Sequence, residues 1–242
     1  MTTAPTHVPR RHSSSGLYLA LLASLVLLAA TAVILLALNL WGDDSTSTTG
    51  LHGSGIAATE SRTVPSFRAI DLAGGNNVTV HVGAKQAVVV GADDNLIDLV
   101  TTDVQRGTLV LGTKGSFSTE RPMTVDVTVP TLETVVLSGS GVVIVEGLSA
   151  ERFVVSVPGN GLLTISGTAE RLDASLAGSG DVQLQNLVAR DVTATLSGSG
   201  RLLVHATGSL DASVPGTGVI LYGGDPDNVT QNVTGTGAIT RW

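Results

Sequence analysis

Two glycines one residue apart recur six times through the second half of the chain, as Gly139/Gly141, Gly159/Gly161, Gly178/Gly180, Gly198/Gly200, Gly216/Gly218 and Gly235/Gly237. The first glycines of successive pairs are 20, 19, 20, 18 and 19 residues apart. Such spacing belongs to a repeat architecture, in which each unit buries its apolar side against its neighbours. The flanking residues define the unit. Two positions before each pair stand Leu137, Val157, Leu176, Leu196, Val214 and Val233; four before, Val135, Val155, Ala174, Ala194, Ala212 and the exception Gln231. Six before stand Phe153, Leu172, Val192, Leu210 and Val229, and after the pairs come Val143/Val145, Leu163/Ile165, Val182/Leu184, Leu202/Val204 and Ile220/Tyr222. Apolar residues at every second position are strands with one face turned inward.

Strand, glycine corner, strand and variable turn make one coil of about 19 residues. Stacked in register, each strand lies about 4.8 Å from its copy in the next coil. The pattern predicts an all-β fold, a parallel β-helix, with a β-sandwich as the alternative because short, evenly spaced strands also occur there. Corner glycines are expected for two reasons: access to positive φ, and close approach of stacked corners. A phosphate-cradling role would need a helix after each pair, and strand-like alternation follows instead. Ser156, Ser175, Thr195, Ser213 and Asn232 fall between the inward columns, so they point outward as a candidate binding ridge. Upstream, Val78–Val82, Ala87–Val90, Leu109–Leu111 and Val125–Val129 read as strands and Gly74–Asn77 as a turn. Longer or distorted coils are expected there, forming an N-terminal cap.

The N-terminal region is a different material. Leu17 to Leu38 is broken only by Ser24 and Thr31, and roughly 20 apolar residues cross a hydrocarbon core. A cleaved signal peptide has a shorter apolar stretch, so the run reads as an uncleaved anchor. Arg10 and Arg11 precede it and Asp43 and Asp44 follow it, which orients the N-terminus to the cytoplasm. The expected organisation is a cytoplasmic tail over residues 1–16, a transmembrane anchor over 17–41, a flexible Ser/Thr/Gly linker over 42–62 and an extracytoplasmic β-helix over 63–242.

Chemistry is sparse. All 20 acidic residues follow position 42, against 13 basic residues in the whole chain, which argues against a nucleic-acid partner. Cysteine is absent, removing disulfides, thiolate ligands and a Cys nucleophile. Asp173 and Asp211 share an outward column but stand two coils apart, so a catalytic carboxylate pair, as in a carbohydrate-active enzyme, is the minor alternative. Asp93, Asp94 and Asp98 lack the order of a calcium loop and read as a solvated acidic loop. His52, His81 and His205 are dispersed, and no metal, cofactor or catalytic residue is assigned.

Phe67-Arg68-Ala69-Ile70 leading to Val78-Thr79-Val80, the Asp93-Asp94-Asn95-Leu96 loop, Gly107-Thr108-Leu109, Val129-Pro130-Thr131-Leu132, the serial Ser-Gly-Ser-Gly units and Tyr222-Gly223-Gly224-Asp225-Pro226 together carry a family resemblance. Over Phe67 to Ile239 the chain resembles the auto-transporter adhesin head (GIN) domain family. The resemblance implies a right-handed β-helix exported to the cell surface or periplasm and no established enzymatic activity. Joined to the anchor, it implies a membrane-bound, adhesin-like module whose partner is an envelope glycan or protein.

Overall fold

The computed structural model describes residues 50–242; the apolar run Leu17–Leu38 and the start of the linker lie outside the described residues. Among the described residues no helix is long and apolar enough to cross a membrane. The fold is all-β, and its repeating half is a parallel solenoid. Strands Val142–Val157, Leu162–Leu176, Asp181–Leu196 and Arg201–Val214 each run from one glycine corner to the next and pair with their neighbours in parallel. Leu172 pairs with Val192, Ala174 with Ala194 and Leu176 with Leu196, which rules out the sandwich. The inward columns from Val135 to Val214 are buried and form one continuous aliphatic core, with Phe153 as its largest buried side chain.

Register shifts fall between Val145 and Leu148, Thr164 and Ser166, and Leu184 and Val188. All lie at the bend remote from the glycines. The variation in repeat length is therefore absorbed by bulges at that bend, while the glycine corner is held constant.

The corner explains why. A Cβ on Gly198 would lie 1.8 Å from the Gly178 carbonyl oxygen, and one on Gly178 would lie 1.8 Å from that of Gly159. The second glycine of each pair is confined in the same way. A Cβ on Gly141 would meet the Asn76 carbonyl oxygen, one on Gly161 that of Gly141, one on Gly180 that of Gly161, one on Gly200 that of Gly180, one on Gly218 that of Gly200 and one on Gly237 that of Gly218. These second glycines also press on the core of the coil below: a Cβ on Gly161 would stand 2.9 Å from Leu137 Cδ2, and one on Gly218 2.6 Å from Leu196 Cδ2. Backbone hydrogen bonds continue the ladder through the corner, from Ser199 N–H to the Gly178 oxygen and from Thr217 N–H to the Gly198 oxygen.

Positive φ, expected as part of the glycines' role, is a correction. It is found at Gly147, Gly167 and Gly224 among others, but not at the first glycines Gly139, Gly159, Gly178, Gly198, Gly216 and Gly235. Nor is it found at the second glycines Gly141, Gly161, Gly180, Gly200, Gly218 and Gly237. Close approach alone selects all twelve.

Upstream, stacking order departs from chain order. Ala69–Leu72 and Asn77–Val82 form a coil whose corner is Gly74-Gly75-Asn76, packed under the Gly139 corner. That coil lies between Thr134–Leu137 with Val142–Val157 on one side and Thr108–Thr113 with Thr124–Val129 on the other. The end is closed by antiparallel strands, with Ala87–Asp93 against Thr124–Val129, Ala57–Arg62 against Ala87–Asp93, and Val100–Gln105 against Thr108–Thr113. A cap thus forms from antiparallel strands rather than from distorted coils. Part of the expected linker belongs to it: Leu51–His52 pairs with Phe117–Ser118 and Ala57–Arg62 with the Ala87–Asp93 edge, so the flexible reading of 42–62 is corrected from Leu51 onward.

At the opposite end, Val229 and Val233 continue the inward columns in register with Leu210 and Val214, yet they are 42% and 44% exposed. Among the described residues no coil covers them. Gln231 replaces the column's alanine and donates to the Tyr222 hydroxyl at 3.3 Å, and the Trp242 ring lies where a Cβ on Gly223 would be, 2.2 Å away.

The register makes opposite forecasts for adjacent residues. Leu196, fully buried, should cost about 2–5 kcal/mol when cut to Ala, whereas Thr195→Ala should stay within about 0.5 kcal/mol. Urea unfolding that ranks them the other way would refute the register. Gly198→Ala should be as damaging as the leucine change, because its methyl has only a backbone carbonyl to displace.

Candidate functional site

The predicted ridge is a single ladder. Ser156 pairs with Ser175, Ser175 with Thr195, Thr195 with Ser213 and Ser213 with Asn232. All five are half-buried or exposed, so one short polar group projects per coil at about the strand spacing of 4.8 Å. Ser175 Oγ also donates to the Val155 carbonyl at 3.3 Å, which pins that hydroxyl. Asp173, Thr193, Asp211 and Thr230 run beside the ladder in the next outward column. Beyond them, Ser209 Oγ donates to Asp191 at 2.8 Å. From Asp173 and Ser175 onward these two columns are polar, whereas Val154 and Val136 stand in them in the preceding coils.

The two carboxylates weighed as a catalytic pair do not act together. Asp173 accepts two hydrogen bonds from Arg152, at 2.6 and 3.1 Å, and Thr193 stands between it and the exposed Asp211. His81 faces Glu146 at 3.3 Å with both side chains more than half exposed. His205 Nδ1 lies 3.2 Å from the Gln185 carbonyl. Among the described residues no three His, Asp or Glu side chains are placed to hold a metal ion.

The sequence reading missed two features. On the strands that follow the glycine corners, outward positions carry Val142, Ile144, Leu162, Leu203, Val219 and Leu221 on a sheet whose inward positions are already filled. Ile144 is 37% exposed and the others are half-buried. Solvated sheet faces are ordinarily polar at such positions, so the solenoid has one polar and one largely apolar side. Doublets such as Leu162-Leu163 and Leu202-Leu203 were the available signal, because adjacent strand residues cannot both face inward. At the centre of this face Arg201 clasps Asp181 from the neighbouring coil, and Gln183 donates to the same carboxylate at 3.1 Å.

The second missed feature is Asp93. It was expected to be solvated and is 2% exposed, because the Leu51–Gly55 and Phe117–Arg121 segments fold over the end of strand Ala87–Asp93. Asp94 and Asp98 remain exposed. A half-open cleft of about 640 Å³, lined by His52, Ser54, Thr119, Glu120 and Arg121, lies against the buried carboxylate.

Comparison with known proteins settles the family. The model described as "Putative auto-transporter adhesin, head GIN domain" matches residues 66–226. The chain belongs to this family. Among solved structures, a "putative adhesin" from Bacteroides fragilis NCTC 9343 is 25% identical, covers 80% of this chain and 100% of its own, and superposes with a TM-score of 0.65. Another, a "putative adhesin" from Parabacteroides distasonis ATCC 8503, is 21% identical over 80% of this chain and 100% of its own, with a TM-score of 0.51. The second likeness concerns the fold alone. None of the curated proteins matches the chain.

The apolar side's ionic centre has a pH signature. The hydrogen bond from Arg201, with Gln183 assisting, lowers the Asp181 pKa from its ordinary value, and Asp181 in turn raises that of Arg201. A folded-state pKa below the unfolded one adds stability that is present above the unfolded value, about 3.9 for Asp, and is lost as pH falls through the folded value. The difference in unfolding free energy between wild type and Asp181→Asn should therefore be constant near neutrality and shrink below about pH 4. A difference that persists undiminished at pH 2 would contradict this.

Proposed function

We propose that the chain is a single-pass membrane protein, anchored by Leu17–Leu38 with its N-terminus in the cytoplasm, that displays a right-handed, non-enzymatic β-helix in the extracytoplasmic space as an adhesin-like interaction module. The reading rests on one observation above all: a parallel sheet that repeats one short hydroxyl or amide group per coil, from Ser156 to Asn232. Evenly spaced, rigidly held donors and acceptors suit an extended ligand that contacts several coils at once, because each contact is small and the backbone is pre-organised. An envelope glycan or a protein surface is the partner this geometry fits. Family membership and the Bacteroides fragilis structure described as a "putative adhesin" support the same reading. The carbohydrate-active alternative is weakened by Arg152, which already occupies Asp173.

Three measurements test the proposal. Cells carrying Ser175→Arg together with Ser213→Arg should lose capture of isolated envelope material by about tenfold or more, while urea midpoints stay near wild type because both positions face outward. Full capture by the double variant would remove the ladder from the mechanism, and cleavage of a polysaccharide abolished by Asp211→Ala would replace the binding module with an enzyme. For topology, a C-terminal tag after Trp242 should be digested by protease added to intact spheroplasts; a protected tag would invert the orientation.

A further inference from the structure

We propose that the cleft over Asp93 is a binding subsite for a neutral polyhydroxylated ligand, a saccharide, one of whose hydroxyls donates to Asp93 Oδ1 while another accepts from Arg121. The site is built. Asp93 is 2% exposed, and its Oδ2 accepts a hydrogen bond from Thr119 Oγ1 at 2.8 Å. A Cβ on Gly53 would stand 1.9 Å from that same oxygen, so the backbone of the Leu51–Gly55 segment is drawn tight around the carboxylate and fixes its direction.

The other oxygen is left over. Asp93 Oδ1 has no hydrogen-bond partner, although buried acceptors are nearly always satisfied. The nearest cation, Arg121 Nε, is 3.8 Å away and donates instead to the Gly55 carbonyl at 3.1 Å. The terminal nitrogens of Arg121 make no hydrogen bond to another described residue. Its side chain is 55% exposed, and it lines the cleft beside the carboxylate. Asp93 and Arg121 thus both line one half-open space of about 640 Å³, within the range of small-molecule sites.

Charge selects the class of ligand. A metal ion or ammonium group that approached Asp93 would meet the Arg121 guanidinium, and an anionic ligand would meet Asp93 and Glu120. A hydroxyl both donates and accepts, so adjacent hydroxyls of one sugar ring satisfy the carboxylate and the guanidinium together. Glu120, exposed at the rim, offers a second acceptor to the same ring. The subsite goes beyond the envelope reading and is independent of it, since it lies on the antiparallel cap and shares no residue with the Ser156–Asn232 ladder.

Saturation-transfer NMR on the full chain, with glucose, galactose, mannose and N-acetylglucosamine as probes, tests the assignment. At least one sugar should receive a signal, and Asp93→Asn should weaken its binding by about tenfold or more, the loss expected for a hydrogen bond to a charged group. Glu120→Ala guards against a folding defect in the first variant: it changes an exposed side chain and should also weaken the same sugar. Thr195→Arg on the ladder should leave the signal unchanged. No signal from any of the four sugars overturns the proposal, as does a signal that survives both cleft variants or one that the ladder variant removes. An Asp93-dependent rise in melting temperature with calcium alone, without sugar binding, would replace the saccharide by a cation and equally overturn it.

Discussion

Every coil in the repeating half of this protein is set by a contact between glycine and a carbonyl oxygen one coil away. At Gly159, Gly178, Gly198, Gly216 and Gly235 the space for a side chain is already filled by the backbone of the preceding corner. The contact is local, but its consequences are not. It lets the corner carry parallel hydrogen bonds without a break, and it holds adjacent coils at strand spacing on both sides of the bend. With the corner fixed, inward residues must fall into columns, and the columns must be of similar bulk: Ala174, Ala194 and Ala212 stack on one another, as do Leu176 and Leu196. The solenoid is a core one coil wide, extended by repetition rather than by new topology.

A fold with that regularity leaves its outer surface free. Inward positions answer to packing, whereas outward positions along Val142–Val157 and its copies answer only to solvent or to a partner. The contrast between the Ser/Thr/Asn ladder and the sheet bearing Ile144, Leu162, Leu203 and Leu221 therefore has no origin in the core. Each row can change by single substitutions without altering the coil, because a short outward side chain has neighbours only in the coils above and below. This freedom lets the outward rows vary in chemistry while the core stays constant.

The repeating half was legible in the sequence because its causes are periodic. Glycine spacing, alternation of two and the outward placement of Thr195 all follow from contacts between copies of the same segment, and such contacts leave the same mark in every copy. What the spacing did not reveal is which property of glycine the corner uses: Gly141, Gly161, Gly218 and Gly237 lack a side chain because a carbonyl oxygen stands in its place, not because φ is positive. The N-terminal cap has no periodic mark. Ala57–Arg62 reads as linker because an antiparallel strand at the rim, exposed or half-exposed along its length, needs no apolar alternation. That the coil of Ala69–Val82 lies between two others distant in sequence is likewise invisible to local pattern, since nothing in either corner records which side its neighbour will take. Asp93 was misread for the same reason: its burial is caused by residues 40 positions before and 26 after it, folding over a strand that ends in charge. The family resemblance implied a β-helix as well, but not this detail.

The two ends of the stack show how a one-dimensional core is stopped. Repetition alone would present an open coil at each end, with unpaired strand edges and an uncovered aliphatic column. At the N-terminal end the chain reverses strand direction, so Ala87–Asp93 and Val100–Gln105 cap the parallel ladders with antiparallel pairs that a further parallel coil could not extend in register. At the other end the coil holding Asn228–Val233 keeps the register but changes chemistry: Gln231 stands where every earlier coil has an aliphatic residue, and Asn228, Thr230 and Asn232 make the outward side wholly polar. The first device closes the stack by geometry; the second makes the last described coil more polar but leaves Val229 and Val233 42% and 44% exposed. The first creates new concave surface, because strands that cross a ladder need loops to reach it, and it is between those loops that the buried Asp93 and its cleft arise.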